Sequence, residues 1–212
     1  MAQPRGKFIT VEGIEGVGKS TNIEAICQVL TDEGIEHIVT REPGGTDLGE
    51  DIRGLLLGHK HSNMSSDCEL LLMFAARAQH LAQIIKPALD LGQWVVCDRF
   101  TDATYAYQGG GRGIADEHIA LLEQWVHGDG GPDLTLLLDT DVATGMGRVE
   151  KRGASDRFEV EAHAFFERVR SKYLERAKQE PSRIAVIDAS QSLAEVKQSI
   201  ANTLKPYLKQ NH

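Results

Sequence analysis

The amino-acid sequence predicts an α/β fold of three layers, in which a five-stranded parallel sheet is flanked by helices. Short apolar runs typical of strands alternate with helical patterns from one end of the 212-residue chain to the other. The runs at 93–100 and 132–140 are strongly apolar, as expected of strands that helices cover on both faces. The chain contains no repeat, linker or low-complexity segment, so we expect one domain over residues 1–212.

Each element has its own signal in the sequence. The five predicted strands cover residues 7–13, 35–40, 93–100, 132–140 and 183–190. The first predicted helix buries the face that carries Ile23, Ile26, Val29 and Leu30, and Gly34 ends it. Further helices are predicted over residues 47–58, 65–91, 102–108, 115–127, 142–152 and 160–179. The helix at 65–91 is expected to bend near Pro87. A last helix is predicted with these residues facing inward: Leu193, Val196, Ile200, Leu204 and Leu208.

Composition excludes several classes of function. The formal net charge is −8 and the pI is about 5.5, which disfavours binding to nucleic acid. No apolar run approaches the ~20 residues that cross a bilayer, so no membrane association is expected. The N-terminus has no apolar signal-peptide region. Three widely spaced cysteines favour reduced thiols, and hence the cytoplasm.

The stretch between the first strand and the first helix carries a phosphate-binding pattern. Gly13, Gly18, Lys19 and Ser20 fit G-x-x-x-x-G-K-[ST], in which backbone N–H groups and the lysine hold phosphates and the hydroxyl ligates Mg²⁺. The alternative is a glycine-rich turn with an exposed lysine. We therefore predict a P-loop NTPase fold that binds ATP and Mg²⁺ through Gly13, Ile14, Glu15, Gly16, Val17, Gly18, Lys19, Ser20 and Thr21.

A second constellation follows the third strand. Asp98 and Arg99 stand at its carboxyl end, where open α/β sheets bind ligands. Asp98 is expected to order a magnesium-bound water or the attacking oxygen, and Arg99 to bridge two phosphates; a buried structural ion pair is the alternative. Several arginines expected at this rim of an acidic protein indicate an acceptor that itself carries phosphate: Arg41, Arg53, Arg77 and Arg99. For any single one of them, and above all for Arg41, an ordinary surface arginine is the alternative.

With these motifs in place, the chain resembles the thymidylate kinase family over nearly its whole length. The matching stretches are, in order, VEGIEGVGKST, TREPGGT with GEDIR, FAARAQH, DRFTDATYAYQGGGRG, PDLTLLLD and DRFE. The resemblance implies Mg²⁺-dependent transfer of the γ-phosphoryl group of ATP to dTMP, giving dTDP and ADP in dTTP biosynthesis. It also implies a homodimer.

The resemblance assigns roles around the acceptor. Glu15 would lie near the sugar and the metal, Arg53 and Arg99 would grip the acceptor phosphate, and Arg77 would donate to thymine O4. The rest of the base edge would be satisfied by Thr104 and Gln108, and Tyr107 would crowd C2′ of the sugar. For Tyr107, as for the aromatic residue that would stack on the base, simple core packing is the alternative.

The chain departs from the family pattern at that stacking residue. The family commonly has phenylalanine four residues before the arginine of FAARAQ, but here that position is Met73, and Phe74 stands three residues before Arg77. Both spacings put the pair on one helix face. We favour Phe74 as the stacking residue, with Met73 as the alternative.

Transfer of a phosphoryl group requires positive charge near its oxygens, and the interior of the phosphate loop has no arginine. The resemblance implies a bacterial-type basic lid at about 149–160 that contributes Lys151, Arg152 and Arg157; a solvated charged loop is the alternative. Replacement of Arg157 by alanine would then lower kcat by about 10³ or more. Arg148 is expected to flank adenine.

Two other functions remain open from the sequence. A deoxynucleoside kinase also uses a phosphate loop and a D-R motif, but it phosphorylates an uncharged hydroxyl and has little need of Arg53. A nucleotide-controlled binding switch would turn over slowly or not at all.

Overall fold

The computed structural model describes residues 4–61, 63–128, 130–150, 156–159 and 161–209. Five parallel strands form one sheet in the order β2-β3-β1-β4-β5. The strands are β1 (Phe8–Glu12), β2 (His37–Arg41), β3 (Trp94–Asp98), β4 (Leu134–Asp139) and β5 (Ile184–Asp188). The order reverses on either side of β1, and ligands bind at such a switch point in open parallel sheets.

Helices connect the strands and cover both faces of the sheet. They are α1 (Lys19–Asp32), α2 (Asp47–Leu57), α3 (Ser66–His80), α4 (Lys86–Asp90), α5 (Thr101–Thr104), α6 (Asp116–His127), α7 (Val142–Glu150), α8 (His163–Gln179) and α9 (Leu193–Leu208). Two π-helical segments, Leu81–Ile85 and Tyr105–Gly111, and a short 3₁₀ helix, His59–His61, complete the described elements.

The core lies on both sides of the sheet because successive residues of a strand face opposite ways. From β1, Ile9 packs in a cluster with Ile26 of α1, whereas Phe8 packs with Leu81 and Leu89 on the other side. The parallel α/β fold predicted from the alternation of elements is therefore confirmed.

Two details differ from the prediction. Leu193 is 48% exposed rather than inward, because it is the first residue of α9 and precedes the buried stripe that begins at Val196. The irregularity in the 65–91 helix also begins earlier than Pro87, with the π-helical turn at Leu81–Ile85. A proline has no N–H to donate to the preceding turn, so hydrogen bonding is already altered on its N-terminal side.

Candidate active site

One pocket opens beside the carboxyl ends of β1, β2 and β3. The residues that line it and were predicted from the sequence are Glu15, Arg41, Arg53, Met73, Arg77, Asp98, Arg99, Thr104, Tyr107 and Gln108. Those not predicted are Glu42, Pro43, Phe100, Ala103, Asp156 and Phe158.

The phosphate loop joins β1 to α1, and its lysine points back into it. Lys19 Nζ donates to the carbonyl oxygens of Gly13 at 3.3 Å and Ile14 at 3.1 Å. Burial, and then the nearby charge of Arg99, lowers the pKa of Lys19 to about 8. Ser20 and Thr21 are exposed in the first turn of α1, where free N–H groups favour an anion.

Helix α7 supports the outer side of this loop. A Cβ on Gly16 would lie 2.0 Å from the carbonyl oxygen of Gly145, so the two backbones touch and only glycine fits. Arg148, one turn further along α7, donates from Nη1 to the carbonyl oxygen of Gly16 at 3.2 Å. The structure therefore places Arg148 at the loop itself.

Asp98 ends β3 next to the loop. Its Oδ1 is buried and has no hydrogen-bond partner among the residues that the structure describes. A buried carboxylate oxygen is costly to leave unpaired, and hard divalent cations prefer oxygen ligands. Asp98 and the exposed hydroxyl of Ser20 therefore fit Mg²⁺ or its bound water.

Arg99 stands at a strained turn directly after β3. Its φ of +67° lies in the left-handed region, which is rare for residues other than glycine and concentrates at functional sites. Its guanidinium donates to Glu15 Oε1 at 2.8 Å, to the Gly13 carbonyl at 2.9 Å and to the Tyr173 hydroxyl at 3.2 Å. It lies 4.8 Å from the ring centre of Tyr107. These contacts fix the cation between the phosphate loop and the pocket.

Glu15 and Tyr107 share that corner of the pocket. The Tyr107 hydroxyl donates to Glu15 Oε2 at 2.5 Å, while Arg99 binds the other carboxylate oxygen. Burial, with the charge of Glu15, raises the pKa of Tyr107, so its hydroxyl stays protonated. The sequence predicted both residues near the sugar of the acceptor, and the structure brings them together.

Arg77 lies at the far end of the pocket and is 2% exposed. Its Nε donates to Glu42 Oε2 at 2.7 Å and its Nη2 to Thr104 Oγ1 at 3.0 Å. The remaining nitrogen, Nη1, is buried without a partner in the described part of the chain. A buried unpaired donor is costly, so an acceptor atom of a ligand would fit beside this group.

Arg53 and Arg41 form a cationic side of the pocket. Arg53 Nη1 donates to the Pro43 carbonyl at 2.8 Å, and Arg41 pairs with the exposed carboxylate of Glu50 at 2.8 Å. Burial, and then the charge of Arg41, lowers the pKa of Arg53. Such mutual repulsion is relieved when an anion binds between or beside the two guanidinium groups.

Phe74 does not occupy the place that we favoured for it. It packs in a buried cluster with Leu70, Tyr105 and Ile119 rather than lining the pocket. Met73, the alternative, lines the pocket, and so does Phe100. Neighbouring residues of a helix point about 100° apart. Here that difference turns Met73 towards the pocket and Phe74 towards the core.

Arg157, which the resemblance assigns to the lid, is buried in this structure, and its catalytic role stays a prediction. Its side chain is 8% exposed; it donates to the Leu56 carbonyl at 2.8 Å and forms an ion pair with Glu69. Its backbone N–H donates to the Leu57 carbonyl at 3.1 Å. This conformation turns the guanidinium into the protein, and Arg157 is not among the residues that line the pocket. Lys151 and Arg152 lie outside the described residues.

Sequence reasoning missed the buried carboxylates behind the pocket. Glu42 binds Arg77 and also His80 Nδ1, at 3.0 Å, while Glu12 Oε2 accepts from the Tyr173 hydroxyl at 2.7 Å. Burial, and then the charge of Asp102, raises the pKa of Glu12 to about 8. Glu42 stands in the quoted TREPGGT stretch, but no local pattern revealed that it pairs with an arginine 35 positions away.

Comparisons with known proteins agree with this geometry. A sequence model of the family described as "Thymidylate kinase" matches residues 11–200. The chain belongs to the thymidylate kinase family. It is 58% identical over 203 residues to the thymidylate kinase of Pseudomonas syringae pv. tomato, covering 96% of this chain and 97% of that one. It is also 58% identical over 196 residues to the thymidylate kinase of Vesicomyosocius okutanii, covering 92% and 96%.

A solved structure extends the agreement to three dimensions. The crystal structure of thymidylate kinase from Ehrlichia chaffeensis is 35% identical in sequence and superposes with a TM-score of 0.76, covering 95% of this chain and 99% of that one. Membership of the thymidylate kinase family, inferred from the quoted motifs, is confirmed, and so is the enzyme class of a phosphotransferase.

Proposed function

We propose that the enzyme transfers the γ-phosphoryl group of ATP to dTMP, giving dTDP and ADP, and that it serves dTTP synthesis. The observation that carries this proposal is a single pocket with two ends. One end adjoins the phosphate loop through Glu15, Asp98 and Arg99, and the other holds the unpaired Nη1 of Arg77. The relatives at 58% identity bear the name of this activity.

The acceptor fits between these ends. The phosphate of dTMP lies beside Arg53 and Arg99, the sugar beside Glu15 and Tyr107, and thymine O4 accepts from Arg77 Nη1. The ATP phosphates lie in the loop 13–21, with Lys19 released from its contacts to loop carbonyls. An oxygen of the dTMP phosphate attacks the γ-phosphorus in line, and no covalent enzyme intermediate is needed.

Magnesium belongs to this proposal as well. Ser20 and Asp98 would hold it, directly or through water, and it would neutralise charge on the β- and γ-phosphates. Because Arg157 is turned inward, we assign the remaining positive charge to Lys19 and Arg99. A role for Arg152 and Lys151 in a lid over 149–160 remains part of the proposal, as does contact between Arg148 and the ATP base.

A coupled assay of ADP release tests the activity. We expect turnover with dTMP and Mg²⁺, much less with dCMP or dGMP, and almost none with thymidine, because thymidine offers no anion to Arg53. Preference for thymidine over dTMP would favour a deoxynucleoside kinase instead. ATP binding without turnover on any monophosphate would favour a nucleotide-controlled switch.

We further propose that the enzyme is a homodimer that acts in the cytoplasm. Helix α3 packs between α2 and α6, and these three helices expose apolar side chains: Leu48, Leu55, Leu71, Leu121 and Trp125. Trp125 is 83% exposed, which is unusual for the largest apolar side chain. The free thiols of Cys27, Cys68 and Cys97 support a reducing compartment. No helix in the described residues is long and apolar enough to span a membrane.

Sedimentation measurements test the dimer. Trp125→Glu should shift the protein towards monomer, because a buried unpaired charge at an apolar interface is strongly unfavourable. Leu193→Glu, on an exposed position of α9 outside this face, is the matched control. A wild-type protein that sediments as a monomer at all accessible concentrations would contradict the proposal.

A further inference from the structure

Glu69 is a buried carboxylate that no part of the proposed reaction uses. It lies on α3 two turns before Arg77, and it is 1% exposed. Its Oε1 accepts from Gln108 Nε2 at 2.8 Å and from Arg112 Nε at 3.3 Å, while its Oε2 accepts from Arg157. All of its described partners are donors, and one of them, Gln108, lines the acceptor pocket.

The contact with Glu69 determines which way the amide of Gln108 faces. An ionised carboxylate can only accept hydrogen bonds, so the NH₂ group of the amide must turn towards it. The carbonyl oxygen, Oε1, is then the amide atom that Glu69 leaves free. It makes no hydrogen bond to any residue that the structure describes, and the side chain borders the pocket.

Arg77 contributes the complementary half of the pattern. Its Nη1 is a donor and cannot become an acceptor, and its orientation is set by Glu42 and Thr104. Arg77 therefore offers a fixed donor and Gln108 a fixed acceptor, and both side chains line the pocket. Thymine carries the matching acceptor O4 beside the donor N3–H, whereas cytosine carries the donor N4 beside the acceptor N3.

We propose that Glu69 is a specificity-positioning residue, which selects thymine over cytosine by holding the Gln108 amide with its oxygen towards the base. The inference rests on the proposed dTMP kinase activity and deepens it. Glu69 does not touch the substrate. It acts through Gln108. Without Glu69, the Gln108 amide would flip by 180° at little energetic cost and could hydrogen-bond to either base.

The test compares two substrates that differ only at the edge in question. 5-Methyl-dCMP has the methyl group, deoxyribose and phosphate of dTMP but the hydrogen-bonding edge of cytosine. In Glu69→Gln the side chain at 69 can also donate, so it no longer imposes one orientation on Gln108. We expect the ratio of kcat/KM for dTMP to that for 5-methyl-dCMP to fall about 10-fold or more, the change that one buried hydrogen bond supports.

Arg112→Gln is the matched control, because Arg112 shares Oε1 of Glu69 but leaves its bond to Gln108 in place. Its ratio should stay within about twofold of wild type, less than the effect of one hydrogen bond. An equal fall in Arg112→Gln would overturn the inference, since the effect would then follow general loosening around Glu69 rather than the amide.

Gln108→Met separates this inference from the proposed function. It removes the amide but keeps the ion pairs of Glu69, and it should lower the ratio as much as Glu69→Gln does. If it leaves the ratio unchanged, Gln108 does not hydrogen-bond to the base. Both the inference and the proposed contact between Gln108 and the base then fail. If it lowers the ratio while Glu69→Gln does not, only the inference is overturned.

A measurement on the wild-type enzyme serves if Glu69→Gln does not fold. The side-chain amide signals of Gln108 in a nitrogen-edited NMR spectrum are identified by their loss in Gln108→Met. The Nε2 proton bound to Glu69 should exchange slowly with water, both with and without dTMP. Fast exchange of both amide protons in the dTMP complex would overturn the inference.

Discussion

At the scale of single residues, recognition of the base in the proposed reaction depends on how firmly Arg77 is held. Glu42 Oε2 accepts from its Nε at 2.7 Å, and Glu42 is itself 5% exposed. In Glu42→Gln this charge-assisted bond becomes a weaker neutral one, and Arg77 gains freedom. We expect KM for dTMP to rise about 10-fold with kcat little changed, because the bond acts equally in the ground and transition states.

Steady-state kinetics with dTMP varied at saturating ATP measures this effect. Glu36→Gln, the same change at an exposed position before β2, is the control for the substitution itself. A lower kcat at unchanged KM would contradict the assignment, since it would place Glu42 in the transfer step rather than in binding.

Part of the pocket follows from local positions in the sequence. Arg99 and Asp98 follow a strand directly, and Glu15 lies inside the phosphate loop, so topology alone brings them together. Arg157 could not be placed this way. Its partner Glu69 is 88 positions away, and no periodicity or motif links the two residues.

At the scale of elements, the phosphate loop depends on close contact with α7. A Cβ on Gly145 would lie 2.7 Å from the carbonyl oxygen of Glu15, which is backbone and cannot turn aside. In Gly145→Ala either the loop or the helix must move, although alanine favours the helix by about 1 kcal/mol. We expect KM for ATP to rise roughly 10-fold, as misplacement of a binding loop commonly costs this much or more.

Gly147 provides a matched control in the same helix, because a Cβ there would meet nothing within 4 Å. Gly147→Ala should leave KM for ATP unchanged and raise the free energy of unfolding by about 0.5–1 kcal/mol through helix propensity alone. Urea unfolding and ATP kinetics on both variants check the pair. Similar ATP kinetics in the two would mean that the loop does not need this contact.

Among the elements that the sequence did not predict are the π-helical segments. The pattern at 102–108 indicates an ordinary helix, but Tyr105–Gly111 has π-helical hydrogen bonding and carries both Tyr107 and Gln108. Glycines at 110 and 111 pack against α8, where a Cβ would lie 2.7 Å from Lys172 and 2.5 Å from Phe165. Such contacts between distant elements decide the local geometry, and they are invisible in a short stretch of sequence.

At the scale of the whole molecule, alternation of strands and helices was enough to predict the parallel sheet, but it did not give the strand order. Because β1 is central and pairs with β3, the phosphate loop after β1 lies beside the turn at residues 98–100 after β3. Both lie at the edge of the sheet formed by the carboxyl ends of the strands. The second side of the pocket comes from α2 and α3, which stand between β2 and β3 in the chain. One sheet edge therefore serves both nucleotides of the proposed reaction.

A buried histidine beneath this edge makes the stability of the whole fold depend on pH. His127 is 3% exposed, hydrogen-bonds to Thr101 at 2.8 Å and stacks on Phe100 at 4.8 Å. Burial, and then the positive charges of Arg77 and Lys86, lowers its pKa from 6.5 to about 3. Between those values the unfolded chain binds a proton that the folded protein does not, so stability falls as pH falls.

From pH 7 to pH 5 this single group should remove about 2 kcal/mol from the free energy of unfolding, following the linkage between proton binding and stability. Urea unfolding of wild type and His127→Gln at both pH values isolates the contribution, because glutamine does not titrate. The stability advantage of wild type over the variant should shrink by that amount at pH 5. His118→Gln, at an exposed position of the same helix, is the matched control.

A difference in the free energy of unfolding between wild type and His127→Gln that stays constant between the two pH values would contradict this prediction. It would mean that His127 becomes protonated within the folded protein. The environment beneath Phe100 would then have to be more polar than its packing indicates.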